Sequence, residues 1–237
     1  MTFVLSALAV GFLIFIHELG HLLVARWVGL PVIRFSIGMG PVILRRDAWG
    51  LEWAVSAIPF GGYVLFDGES EAYQEAPAMP RILTSLAGPA ANVVAGLILY
   101  VLAETLTSGG VALGAGMSRF VDAFTQVFTV LGLLMSGEVG ISDLAGPVQM
   151  VSMGSSLAAE PGRFAAYMGF ISVNLAVFNL LPIPALDGGQ ILITILQGVS
   201  GKTLSERAQT VIFGGSFVLL GGLLVWVVFK DVSSLLA

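Results

Sequence analysis

Residues 13–27 read LIFIHELGHLLVARW, two histidines and a glutamate inside a run apolar enough to lie in a bilayer. Ionisable side chains at that depth cost a few kcal/mol each to insert, so they must do something that outweighs the cost. His17, Glu18 and His21 form H-E-x-x-H. On a helix, positions four apart are about 40° apart around the axis and about 6 Å along it, so both imidazoles face one way and can share a metal, with the glutamate beside them. These are the chain's only two histidines. Hydrogen-bonded interior histidines would have no reason to fall at ligand spacing.

The rest of the composition agrees with a membrane protein. Of 237 residues, 57% are hydrophobic and 11% charged, and the mean hydropathy is +0.95, outside the range of soluble domains. The net charge is −5, so no basic surface points to nucleic acid. Cysteine is absent, which excludes disulfides and thiolate ligands. The N-terminal run lacks the basic flank and cleavage site of a secretory signal and is expected to be a retained transmembrane helix.

A spanning helix needs about 20 mostly apolar residues. Spans are expected over about 2–27, 82–106 and 211–229, with a fourth over 163–197 broken near 182–189 by NLLPIPALDGGQ, residues 179–190. Its two prolines and paired glycines interrupt a helix, and broken backbone is tolerated at membrane depth only within protein or a wet cavity. The β-branched, alternating stretch 33–65 is expected to form a hairpin, and residues 67–80 a polar loop. Between 120 and 135, Asp122, Thr125, Gln126 and Thr129 make one polar stripe, favouring an interfacial or cavity-lining helix over a further span. The expectation is one all-α polytopic membrane domain over 1–237, with about four transmembrane helices and a hairpin between the first two. With the N-terminus outside, seven of the ten lysines and arginines fall on the cytoplasmic side, the orientation set by the positive-inside rule.

Two imidazoles do not complete a catalytic zinc site, which usually has three protein ligands and one open position. Without cysteine or a third histidine, the remaining ligand should be a carboxylate. His17 lies about 23 Å into the first span at 1.5 Å per residue, in its cytoplasmic third. By the same ruler Glu104 reaches the outer face, whereas Asp187, just past Pro182 and Pro184, returns to the level of the histidines. The expected ligands are therefore His17, His21 and Asp187, holding Zn2+, with Glu18 as the base of peptide hydrolysis. Asn179, upstream of the break, is either a brace for the broken helix or a donor to substrate.

These residues resemble the site-2 protease family of intramembrane zinc metalloproteases. HELGH is similar to its first motif and NLLPIPALDGG to its second, N-x-x-P-x-P-x-L-D-G, while FSIGMGP, AIPFGGYV, SLAGPAAN and GISDLAGPV extend the likeness over most of the chain. It looks closest to the bacterial regulator-of-sigma proteases. The resemblance implies zinc on His17, His21 and Asp187, catalysis by Glu18, and substrate contacts from Asn179 and Pro182. It also implies a membrane-associated hairpin presenting a strand, around Gly61 and Gly62, to the substrate. The implied activity is regulated intramembrane proteolysis of a single-pass protein, such as an anti-sigma factor, in the bacterial cytoplasmic membrane with the site toward the cytoplasm. Two features depart from the pattern: residues 107–120 are too few for the PDZ domain that such proteases carry, and Gln190 replaces a frequent histidine. The alternatives are a proteolytically silent scaffold or chaperone of the same fold, and a metal transporter, against which the scarcity of polar groups along the spans counts.

Overall fold

The structure is a computed structural model and describes residues 1–67, 76–140, 145–201 and 204–236. Elements follow in the order α1 (Thr2–Trp27), β1 (Val32–Ala48), β2 (Leu51–Phe66), α2 (Ala78–Ser108), α3 (Leu113–Ser136), α4 (Pro147–Leu157), α5 (Pro161–Asn179), α6 (Asp187–Ser200) and α7 (Glu206–Leu236). Most of the polar loop expected at 67–80 lies outside the described residues; its end, from Ala78, is the first turn of α2.

The chain forms two compact units: Met1–Val10, Val93–Val177 and Phe217–Ala237 make one, and Gly11–Asn92 with Phe178–Ser216 the other. Four helices are long and apolar enough to cross a membrane: α1, α2, α3 and residues Arg207–Ser233 of α7. This set differs from the expectation. The 19 residues of α5 carry Arg163, Asn174 and Asn179 and are not among the four, whereas α3, expected at the interface, is.

In the first unit, glycines let helices touch. A Cβ at Gly169 would lie 3.0 Å from the Tyr100 ring, and one at Gly96 3.0 Å from Val173, so α5 packs directly on α2. Gly116 abuts Val101, and Arg119 pairs with Glu104 at 2.8 Å, so α3 folds back along α2. The short α4 starts at Pro147, where the missing N–H needs no partner, and its first free amides are bound from elsewhere: Asp231 of α7, fully buried, accepts from Gly146 N (3.3 Å) and Gln149 N (3.0 Å).

In the second unit, β1 and β2 form a two-stranded antiparallel sheet with a folded register. Arg34 lies opposite both Leu65 and Glu52, and Arg46 also faces Trp53, so residues 51–56 run between the two halves of β1 and residues 62–66 lie outermost. Gly38 and Gly61 make the bends, with φ +86° and +85°, a region costly for residues bearing a Cβ. Leu22 of α1, Phe35 and Leu51 form a buried cluster joined by Phe15, Leu19 and Trp53, which seats the sheet on the first helix.

Candidate metal centre

The local reason the site forms is a sequence of close approaches. A Cβ at Gly20 would come within 2.5 Å of the Ala87 carbonyl oxygen and 2.9 Å of Ala91 Cβ, so only glycine lets α1 lie this near α2. At Gly88 an added Cβ would collide with the His21 ring and stand 2.7 Å from His17 Nε2; the imidazoles lie flat on the bare backbone. Pro89, buried inside α2, has no amide to donate into the turn above.

The third side chain arrives over the helix break. From Leu180 to Leu186 the backbone is held by short-range bonds, Ile183 N to Leu181 O (2.7 Å) and Leu186 N to Ile183 O (2.8 Å), and Gln190 Nε2 donates to Pro184 O (3.4 Å). Side chains at Gly188 or Gly189 would collide with the carbonyls of Leu180 and Ile183. The break therefore folds tightly over the start of α6 and sets Asp187 in its first turn.

His17 Nε2, His21 Nε2 and the Asp187 carboxylate converge: 3.2 Å between the nitrogens, 3.1 Å from His17 to Oδ2 and 3.3 Å from His21 to Oδ1. Metal bonds of about 2.0–2.2 Å at tetrahedral angles separate ligand atoms by roughly 3.3–3.6 Å, so the triangle is of zinc size. The donor set fits as well. His21 Nδ1 lies 2.7 Å from the Thr84 carbonyl oxygen and donates to it, which leaves Nε2 as an acceptor in the neutral ring. Asp187 Oδ2 is buried with no hydrogen bond. Acceptors facing one another at this range repel unless a cation lies between them.

Asn92, fully buried on α2, has its amide 3.1 Å from His17 Nδ1. If His17 Nε2 is to keep a lone pair for a metal, Nδ1 carries the hydrogen, and Asn92 must offer its oxygen rather than its nitrogen; the two ends of an amide differ only by assignment. Glu18, next to His17 in α1, is half-buried, and a Cβ at Gly62 would stand 2.8 Å from its Cγ, so the outermost strand runs directly past the carboxylate side chain.

Of the residues expected from sequence, His17, His21 and Asp187 lie together, with Glu18 and Gly62 in contact beside them. Gly61, the next residue, packs instead on Met39, whose Cε would be 2.6 Å from an added Cβ. Asn179 is the last residue of α5, and Pro182 is exposed within the break. Sequence reasoning missed Asn92, Thr84 and Gly88. The signal was the cluster SLAGPAAN, small residues and one amide inside a span, which marks a close helix contact but not its partner.

The pattern of the peptidase family M50 matches residues 5–223. A protein of Clostridium perfringens, named provisionally as a zinc metalloprotease, is 27% identical over 98% of this chain and 98% of its own length, across 330 aligned positions. One from Nostoc with the same provisional name is 26% identical over 98% and 96%. One from Chlamydia trachomatis is 40% identical over 41% of this chain and 19% of its own. Alignments of 330 positions against 237 residues leave the relatives with sequence that has no counterpart here. The matched region holds both halves of the metal cluster, and the chain belongs to peptidase family M50, the site-2 proteases.

Proposed function

We propose that this chain is an intramembrane zinc endopeptidase that hydrolyses a peptide bond within or near the transmembrane segment of a single-pass membrane protein. The observation that carries the reading is a zinc-sized ligand triangle on His17, His21 and Asp187, with Glu18 next to His17 in the same helix and Gly62 of the outermost strand against the Glu18 side chain. His17, His21 and Asp187 would hold a zinc ion, which would supply Lewis acidity and a water of lowered pKa. Glu18 takes the proton as water attacks the scissile carbonyl and passes it to the departing amine, so one water is consumed and a carboxyl and an amino terminus appear. A helical substrate has its backbone amides satisfied internally and must unwind first. Pairing of the extended segment with residues 62–66 replaces those hydrogen bonds, with Gly61, Asn179 and Pro182 as further contacts.

The proposed setting is a bacterial cytoplasmic membrane with the site toward the cytoplasm, and an anti-sigma factor is one substrate of the required kind. Glu18→Gln is expected to keep stoichiometric zinc and to lose cleavage of a reconstituted transmembrane substrate by about 10²-fold or more. Undiminished cleavage refutes the role of Glu18. A phenotype that survives Glu18→Gln in cells but is lost on deleting the hairpin would instead favour a silent scaffold.

A further inference from the structure

The far end of the hairpin carries a feature that hydrolysis does not use. Trp49 forms the turn with Gly50 and has φ +55°, a left-handed conformation that a bulky residue rarely adopts. It is 80% exposed, and Trp27 at the end of α1 is 79% exposed. The two tips are joined: Arg26 Nη2 donates to the Trp49 carbonyl oxygen at 3.0 Å. Trp49 is also braced from inside, edge-on to Trp53 at 5.9 Å, and Trp53 donates to Ala48 O. Arg45 and Arg46 are exposed on the same strand, beside a groove lined by Leu44, Trp53 and Val55.

Among the neighbouring charges, Arg34 is engaged by Glu52 and Tyr63, and Asp47 is the one exposed carboxylate on this strand. Arg26, Arg45 and Arg46 therefore outnumber it. Tryptophan and arginine together at the end of a membrane helix are the composition of the bilayer interface, rings at headgroup level and guanidinium groups on phosphates.

Distance ties this rim to the reacting centre. From Glu18 to Arg26 along α1 is about 12 Å. Ile37 faces both Gly62 and Val55, and from Val55 to Leu51 along β2 is about 13 Å. Both paths end at the same level, so whatever fixes the rim fixes the depth of Gly62 beside Glu18.

We propose that Arg26, Arg45 and Arg46, framed by Trp27 and Trp49, bind the phosphate headgroups of anionic phospholipids and so hold the hairpin edge at its working depth. The inference rests on α1 lying in a bilayer and not on peptidase activity.

The test is tryptophan fluorescence of the full chain in vesicles containing brominated phosphatidylglycerol or brominated phosphatidylcholine at equal mole fraction. The signal of the tip is the difference between wild type and Trp49→Phe. The anionic lipid is expected to quench that signal more strongly, and the preference to fade between 50 mM and 500 mM salt. Each of Arg45→Gln and Arg46→Gln is expected to reduce the preference roughly fivefold at low salt, with Arg163→Gln as an unaffected control. Equal quenching by both lipids in the wild type overturns the proposal, as does a preference that survives the double variant. Salt dependence in the wild type decides the matter even if the variants fail to fold. No substrate is used, so failure here and failure of the peptidase reading are distinguishable.

Discussion

At the level of single residues, the metal centre depends on groups that donate nothing to a metal. With its amide turned so that the oxygen lies 3.1 Å from His17 Nδ1, Asn92 would accept the Nδ1 hydrogen and so fix which nitrogen faces Asp187. Asn92→Leu is expected to lower zinc affinity about 10- to 100-fold, measured by competition with a chromogenic chelator. Asn92→Asp, which keeps an acceptor in place, is expected to retain affinity. Gly88 makes the complementary case. Glycine to alanine inside a helix ordinarily stabilises by up to about 1 kcal/mol, yet here the new methyl meets both imidazoles. Gly88→Ala is thus expected to yield a protein with unchanged helical circular dichroism but depleted of zinc by elemental analysis, its melting temperature lowered to that of the metal-free wild type or below. Retained stoichiometric zinc would show that the rings can move aside.

At the level of elements, what the sequence made legible was whatever has a local cause. The hairpin expected at 33–65 occupies Val32–Phe66, the spans at 82–106 and 211–229 lie inside α2 and α7, and the break near 182–189 falls just before and into the start of α6. Periodicity, prolines and glycines carry those signals in neighbouring residues. The folded register of β1 and β2 was not legible, because opposing Arg34 with both Leu65 and Glu52 depends on bends at Gly38 and Gly61 that alternation does not encode. Nor was α4, whose 11 residues nucleate poorly alone and are held by Asp231 from far downstream. Asp231→Ala removes the acceptor of two amides. The expected cost is about 1–3 kcal/mol, read as a lower melting temperature in detergent, with zinc content unchanged because the carboxylate is not part of the metal cluster. A melting temperature equal to that of the wild type would mean that α4 satisfies these amides in another way.

At the level of the whole molecule, the contacts of the first unit constrain how often the chain crosses a bilayer, a constraint that bears on α3, which is long and apolar enough to cross. α3 starts beside the end of α2, with Gly116 on Val101 and Arg119 on Glu104. α5 starts there too: a Cβ at Gly162 would lie 3.2 Å from the Ala103 carbonyl oxygen. Between the two starts the chain must make an even number of crossings. If α3 crosses, something after it must cross back, and the only helix available among the described residues is α4, whose 11 residues extend about 16 Å against a core of about 30 Å. Non-helical backbone facing lipid is not an alternative. Moreover, α4 touches the beginning of α1, Ser155 to Thr2 at 2.9 Å, and its first amides are held by the end of α7. The beginnings of α1, α3 and α5 and the ends of α2 and α7 thus lie together, and α3 is expected to return to that side without traversing. The crossings expected on this reading are α1, α2, α5 and α7, with the polar stripe of Asp122, Thr125, Gln126 and Thr129 exposed. A chain without cysteine allows a clean measurement. Single cysteines at Ser108 and Glu138 are expected to react with an impermeant maleimide from the same face of sealed vesicles, and one at Asp47 from the opposite face. Labelling of position 138 together with position 47 would make α3 a true span and reverse α5.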